Sequence, residues 1–270
     1  MKGKTKSRIA FTVAAFLLLA ACALAFLLFR FYRDASPSPS PNATAGSEDT
    51  QSQTAEGEFP TVDWDYWKGV NADVIGWITI PGTDIDHPIL QAHADDPDYY
   101  LHHDVYGNYN PLGAIFLDAE CEAEGFQSPN AVILGHSLKL GGVTKCFGNI
   151  KNYKDKGYAS DHRTVLIQTP EIRMRYLVRF ANIVKGWEPT KRTTFAGETD
   201  FRDWYDSSRD SAAMVLDADA EPTQVISLVS CSYNYWKQNE RTVVTTSKDE
   251  THPENRQVLG KSQETDSGRE

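Results

Sequence analysis

Cysteine is scarce in this chain: four residues, Cys22, Cys121, Cys146 and Cys231, in 270. So few, so widely spaced, exclude a disulfide-dense scaffold, and the 40% apolar fraction is enough for a conventional core. A single bridge between Cys121 and Cys146 stays open, and pairing either with Cys231 would silence that thiol. Acidic residues are missing from the first 33 positions, which carry six basic ones and leave the remainder with 21 basic against 37 acidic, a formal −16. A body of that sign repels phosphate backbones, so no nucleic acid is expected as partner. There is no internal repeat.

Charge is absent altogether from Ile9 to Phe29. At about 1.5 Å of rise per residue this stretch is long enough to span a hydrocarbon core of about 30 Å. The basic residues before it outnumber those just after it, which predicts a single-pass helix with a cytoplasmic N-terminus and an extracytoplasmic body. Two competing readings are a cleaved signal peptide and a lipoprotein box at Leu19-Ala20-Ala21-Cys22. All three put the body outside the cell membrane.

Four regions follow. Residues 1–33 form a short stub and the membrane helix, and 34–60 a Ser/Pro-rich linker too poor in apolar side chains to offset its ordering entropy. Residues 61–247 form one domain, and 248–270 a polar tail. The domain opens with a helix from the cap Asp63, presenting Trp64, Trp67 and Val70 on one side. Eight short β-rich runs come next: 74–80, 87–90, 113–118, 131–136, 164–169, 173–184, 225–231 and 241–246. Bounded by Gly, Pro and Asp and mostly without intervening helices, they predict a mainly β barrel or sandwich. Two inserts, 146–155 and 199–212, read as helical, the second with Phe201, Trp204 and Tyr205 on its apolar side.

The chemistry gathers at the ends of these runs. In "VISLVSC" the period of two sets Val225, Ser227, Val229 and Cys231 on one face, with Cys231 at the exit. Nine residues separate it from "RTVV", so antiparallel pairing of the two runs brings Arg241 beside Cys231. A guanidinium there favours the thiolate and can donate to an oxyanion; the bland alternative is a structural cysteine beside a rim arginine. "AVILGHS" ends in His136, the one histidine directly after a fully apolar run. At a rim its imidazole can exchange protons with a substrate. Tyr235 and Trp236, in the connection after Cys231, either line a peptide groove or cap the barrel. "HADDPD" (93–98) lacks the regular ligand spacing of a calcium loop and reads as a solvated acidic turn. No metal or cofactor is expected.

Taken together, "NADVIGWITIPGTDIDHPILQ" (71–91), "DPDYYLHHDVYGNYNPLGAIFLD" (96–118), "AVILGHS", "SLVSC" and the following arginine resemble the class B sortases, in family order and behind the expected anchor. The resemblance implies a closed eight-stranded β-barrel with an N-terminal helix and a helical insert before the cysteine strand. It further implies a cysteine transpeptidase with His136, Cys231 and Arg241 as its triad, acting on the sorting-signal peptide of a surface protein. The acceptor would be an amine on peptidoglycan or on a pilin. The family commonly carries Thr-Leu-x-Thr-Cys where this chain has Ser227-Leu228-Val229-Ser230-Cys231. Ser227 and Ser230 keep the hydroxyls and lose methyls, which bears on peptide specificity. Two other functions use the same residues: a cysteine peptidase that hydrolyses, and a tethered barrel that binds peptide or wall polymer without catalysis. A murein transpeptidase on another fold would need a Ser-His-Gly-x-x-Cys-like segment, which is lacking.

Overall fold

The structure, a computed structural model, describes residues 58–140, 143–186, 191–232 and 239–252. The segment Ile9–Phe29, most of the linker and of the tail, and Tyr235 and Trp236 lie outside these residues. Among the described residues no helix is long and apolar enough to cross a membrane.

In chain order the strands are β1 (Val74–Thr79), β2 (Asp86–Gln91), β3 (Ile115–Leu117), β4 (Asn130–Gly135), β5 (Ser137–Leu140), β6 (Val143–Cys146), β7 (Thr164–Gln168), β8 (Arg173–Lys185), β9 (Met214–Val215), β10 (Val225–Ser232) and β11 (Glu240–Lys248). Eight of them follow the eight apolar runs, and these eight close a ring in the order β11-β10-β4-β3-β2-β1-β7-β8, sealed by pairing of β8 with β11. Closure leaves no unpaired edge for aggregation. Three strands were not expected from the sequence: the short β9 beside β8, and the β5–β6 hairpin that leaves the barrel directly after His136.

Alternation decides what fills the ring. Ile78, Ile89, Leu117, Ile133, Leu228 and Val244 point inward and are fully buried, each contributing about 1.5–3 kcal/mol of transfer free energy. The neighbours of the last three along their strands, Val132, Val229 and Val243, form a separate apolar cluster on the outer face. Thus β4, β10 and β11 each carry apolar side chains on both faces, and β4 accordingly contains the unbroken apolar run Ala131–Leu134.

Among the described residues four α-helices decorate the ring. Helix α1 (Trp64–Val70) starts where the Tyr66 N–H donates to the Asp63 carboxylate at 3.0 Å, and sets Trp64 and Trp67 against a second core of Val74, Leu90, Tyr100 and Phe116. Helix α2 (Tyr99–His102) is a single turn that buries Tyr100 in the same core. The insert at 146–155 is helical as expected, but as a 3-10 helix (Gly148–Lys154), and α3 (Lys156–Asp161), capped by Asp155, begins only after it. The spacing explains the difference. Phe147, Ile150 and Tyr153 recur every three residues and are all fully buried, and a three-residue turn stacks such positions on one side. Helix α4 (Glu198–Asp210) lies as expected, with Phe201 and Tyr205 buried against Phe180 and Val225.

The first and last described segments meet. Arg175 pairs with Glu58 at 2.6 Å and with Asp249 at 3.2 Å, and His252 reaches Glu58 at 3.1 Å. Truncating Phe201 to alanine empties the cluster under α4 and should cost about 3–5 kcal/mol, read as a lowered urea midpoint with an unchanged slope.

Candidate active site

Two registers build the site. Along the antiparallel ladder Cys231 stands opposite Arg241, with Ser230 opposite Thr242 and Ser232 opposite Glu240. Along the parallel ladder Ser230 is level with Gly135, and continuing that register by one residue brings His136 level with Cys231. The sheet order β11-β10-β4 therefore sets the sulfur between a guanidinium on one side and an imidazole on the other. Two residues further into the sheet, on the same outer face, Leu134, Val229 and Val243 form an apolar floor. The candidate triad thus stands at one rim, above a dry strip of sheet.

Several contacts hold this rim. The Ser230 hydroxyl donates to the Gly135 carbonyl at 2.9 Å, locking β10 to β4 one residue before Cys231. Ser232 donates to the buried Glu240 carboxylate at 2.7 Å, locking β10 to β11 one residue after it. The Phe147 N–H donates to the His136 carbonyl at 2.9 Å, so the β5–β6 hairpin returns to pin the histidine backbone. Arg241 turns one guanidinium N–H to the Glu240 carbonyl at 3.1 Å. The two serines expected to bind peptide both lie below the surface: Ser230 serves as the strand lock just described, and Ser227 is buried mid-strand.

The imidazole of His136 is tied on its outer nitrogen. Its Nε2 lies 2.9 Å from the Leu101 carbonyl in α2, and a carbonyl only accepts, so Nε2 carries the hydrogen. In the neutral ring Nδ1 then holds the lone pair. Burial holds this imidazole below its ordinary value; the Leu101 hydrogen bond works against that, while His102, whose ring centroid is 6.3 Å away, and Arg241 add to it. At neutral pH the neutral form predominates. Neither the Leu101 carbonyl nor His102 was anticipated from the sequence. A backbone acceptor has no residue-type signature, and its one legible trace is Gly113. That glycine has φ +59°, and a Cβ there would run into the Tyr100 carbonyl and come within 2.8 Å of the Leu101 carbonyl.

The other thiols stand apart chemically. Cys121, Cys146 and Cys231 are all free, so the bridge left open by the sequence is not formed. Cys121 is buried in the barrel core, and burial pushes its thiol up. Burial likewise pushes Cys146 up to about 11. The "HADDPD" segment folds as a turn, in which the Asp96 N–H donates to the His93 carbonyl at 3.2 Å. Among the described residues no group of three or more His, Cys, Asp or Glu is arranged to hold a metal ion. Brief alkylation of the native protein at pH 7, followed by peptide mapping, should label Cys231 well before Cys121 or Cys146, and equal labelling would contradict this ranking.

Comparison with known proteins bears on this arrangement. No family model matches the chain. Sortase B of Listeria monocytogenes is 40% identical over 95 residues, which is 35% of this chain and 36% of that protein, so the chain spans about a third of this relative. Sortase B of Staphylococcus aureus is 23% identical over 178 residues, 65% of this chain and 70% of that protein. Among solved structures, a Staphylococcus aureus sortase B–substrate complex matches with a TM-score of 0.59 at 20% identity, covering 70% of this chain and 85% of that one. A sortase B complexed with Gly3 matches with a TM-score of 0.58 at 20% identity, covering 70% and 86%. In sequence over these stretches, and in fold, the chain is similar to class B sortases.

Proposed function

We propose that the protein is a membrane-anchored, extracytoplasmic cysteine transpeptidase that uses Cys231, His136 and Arg241 to transfer a sorting-signal peptide of a surface protein to an amine acceptor. The observation that carries this reading is the shared rung of Cys231 and Arg241, with His136 level with the sulfur on its other side. The Cys231 thiol passes its proton to the Nδ1 lone pair of His136 and its sulfur attacks the scissile carbonyl, forming the C–S bond of a tetrahedral intermediate. Arg241 donates hydrogen bonds to the oxyanion. His136, protonated on Nδ1 as well as Nε2, passes the Nδ1 proton to the departing amine, and the C–N bond breaks to leave a thioester. The acceptor amine then attacks; His136 takes its proton and the sulfur leaves. One amide is exchanged for another, so no nucleotide is consumed.

The names of the solved complexes, one with substrate and one with Gly3, support a signal peptide as donor and a glycine amine as acceptor. By family resemblance the signal is of the Asn-Pro-x-Thr type, and the acceptor amine belongs to a peptidoglycan crossbridge or to a pilin. The uncharged Ile9–Phe29 segment supports attachment to the membrane, with the barrel outside.

The test mixes the protein with a sorting peptide and triglycine and follows products by mass spectrometry. The expected result is a peptide thioester on Cys231 and an amide product, both lost in Cys231→Ala. Arg241→Ala should lower kcat by about 10²–10³ through loss of an oxyanion donor. An acid product alone would mean hydrolysis, and undiminished peptide binding with no adduct would mean a binding module.

A further inference from the structure

The rim histidine is held from outside the barrel sheet, and the contacts that hold it continue well away from Cys231. The Leu101 carbonyl that accepts from His136 sits in α2, next to Tyr100. Tyr100 is 2% exposed, yet its hydroxyl is not in an apolar setting. It donates to Asp73 Oδ2 at 2.6 Å and accepts from the Asn71 amide at 3.1 Å. Asp73 Oδ1 in turn faces His93 Nε2 at 3.1 Å, and His93 Nδ1 faces the Glu122 carboxylate at 2.5 Å. The backbone of this patch is fixed as well. The Gln91 N–H donates to the Asp73 carbonyl at 2.8 Å, and the Ala114 N–H donates to the Tyr100 carbonyl at 2.9 Å.

We infer that Asp73, Tyr100 and His93 form a positioning network that fixes the Leu101 carbonyl against His136, so that residues remote from the sulfur set the tautomer of its proton-transfer partner. The inference rests on the transpeptidase reading for its catalytic consequence and on geometry alone for its structural one. A helix of one turn cannot hold its own place: it has few internal hydrogen bonds, and α2 lacks a side-chain cap. Its anchors are the Tyr100 ring in the second core, the Tyr100 hydroxyl on Asp73, and backbone hydrogen bonds from Ala114 to the Tyr100 carbonyl and from Asn110 to the His102 carbonyl. A buried hydroxyl on a carboxylate is a strong, directional bond, and removing the hydroxyl lets α2 rotate about the ring. The next residue is Leu101, so any such rotation moves the acceptor of the His136 hydrogen.

His93 adds a condition. Both of its ring nitrogens face carboxylates, and only the doubly protonated ring donates to both. The charged or titratable groups around it are Asp73 from the start of β1, Glu122 from the turn after β3, and Tyr100 and Lys68 through Asp73. The hydrogen bond to Glu122, then that to Asp73, hold His93 above its ordinary value. The clasp is therefore complete below that raised value, and one of its two bonds is lost as pH rises through it. Roughly two-fifths of the His93 side chain is exposed, which gives its proton a path to solvent.

The experiment is nitrogen NMR of the full chain with labelled histidine, the His136 signal being assigned by its loss in His136→Gln. The wild type should show the Nε2–H tautomer. In Tyr100→Phe, which keeps the ring and removes only the hydroxyl, His136 should become a mixture of tautomers with a displaced titration midpoint. In the transfer assay kcat should fall about tenfold or more with KM little changed, as misorientation of a catalytic group demands. A folded Tyr100→Phe with unchanged tautomer and midpoint would overturn the inference. Should that variant not fold, Asp73→Asn is read instead, with the same displacement expected and an unchanged His136 signal again decisive against it. Because the NMR readout needs no turnover, a chain that transfers nothing yet shows the tautomer shift would keep the network and sink only the transpeptidase reading.

Discussion

The register of β10 between its two neighbours is the constraint on which the rest depends. One ladder is parallel and the other antiparallel, so β4 delivers its last residues and β11 its first residues to the same end of β10. Side chains alternate with a period of two, and slipping either ladder by one residue would turn a member of the triad into the barrel. The hydroxyl locks at Ser230 and Ser232 flank the cysteine on both sides and oppose such a slip. Apolar packing on both faces of the three strands opposes it again, since a slipped strand would carry Ile133, Leu228 or Val244 out of the core. Stability and site geometry here are one property of the same ladders.

Electrostatics follows from that placement. A rim position leaves the sulfur accessible while its partners are partly dehydrated, and this keeps the imidazole neutral at ordinary pH with its lone pair on Nδ1. In the proposed reaction the two side chains divide the work: the Arg241 guanidinium serves the developing oxyanion and the His136 imidazole the proton. The two other described thiols, raised by burial, are withdrawn from competition without being bridged.

Much of this was legible in the sequence because the determinants are local. Eight β-rich runs between turn residues became the eight strands of the ring, and the nine residues between Cys231 and Arg241 left few alternatives to a hairpin-like pairing. Asp63 announced α1, and the aromatic spacing in 199–212 announced α4. What escaped notice depended on contacts distant along the chain or on backbone atoms. The insert after Cys146 is helical as read, but its three-residue apolar spacing makes it a 3-10 helix, and the α-helix that Asp155 caps after it was not anticipated. The hydrogen bond that orients His136 ends on a carbonyl 35 positions earlier, where the identity of Leu101 carries no information. Ser227 and Ser230 appeared in the motif as hydroxyls beside a nucleophile, and only tertiary structure reveals that both are buried, Ser230 on the Gly135 carbonyl.

The account is tested most directly by the cross-strand proton contacts at the end of β10, measured by nuclear Overhauser spectroscopy. It predicts backbone contacts of Cys231 with Arg241 and of Ser230 with Gly135. Contacts of Cys231 with Glu240 or Thr242 in their place, a register shifted by one, would separate the three side chains and contradict it.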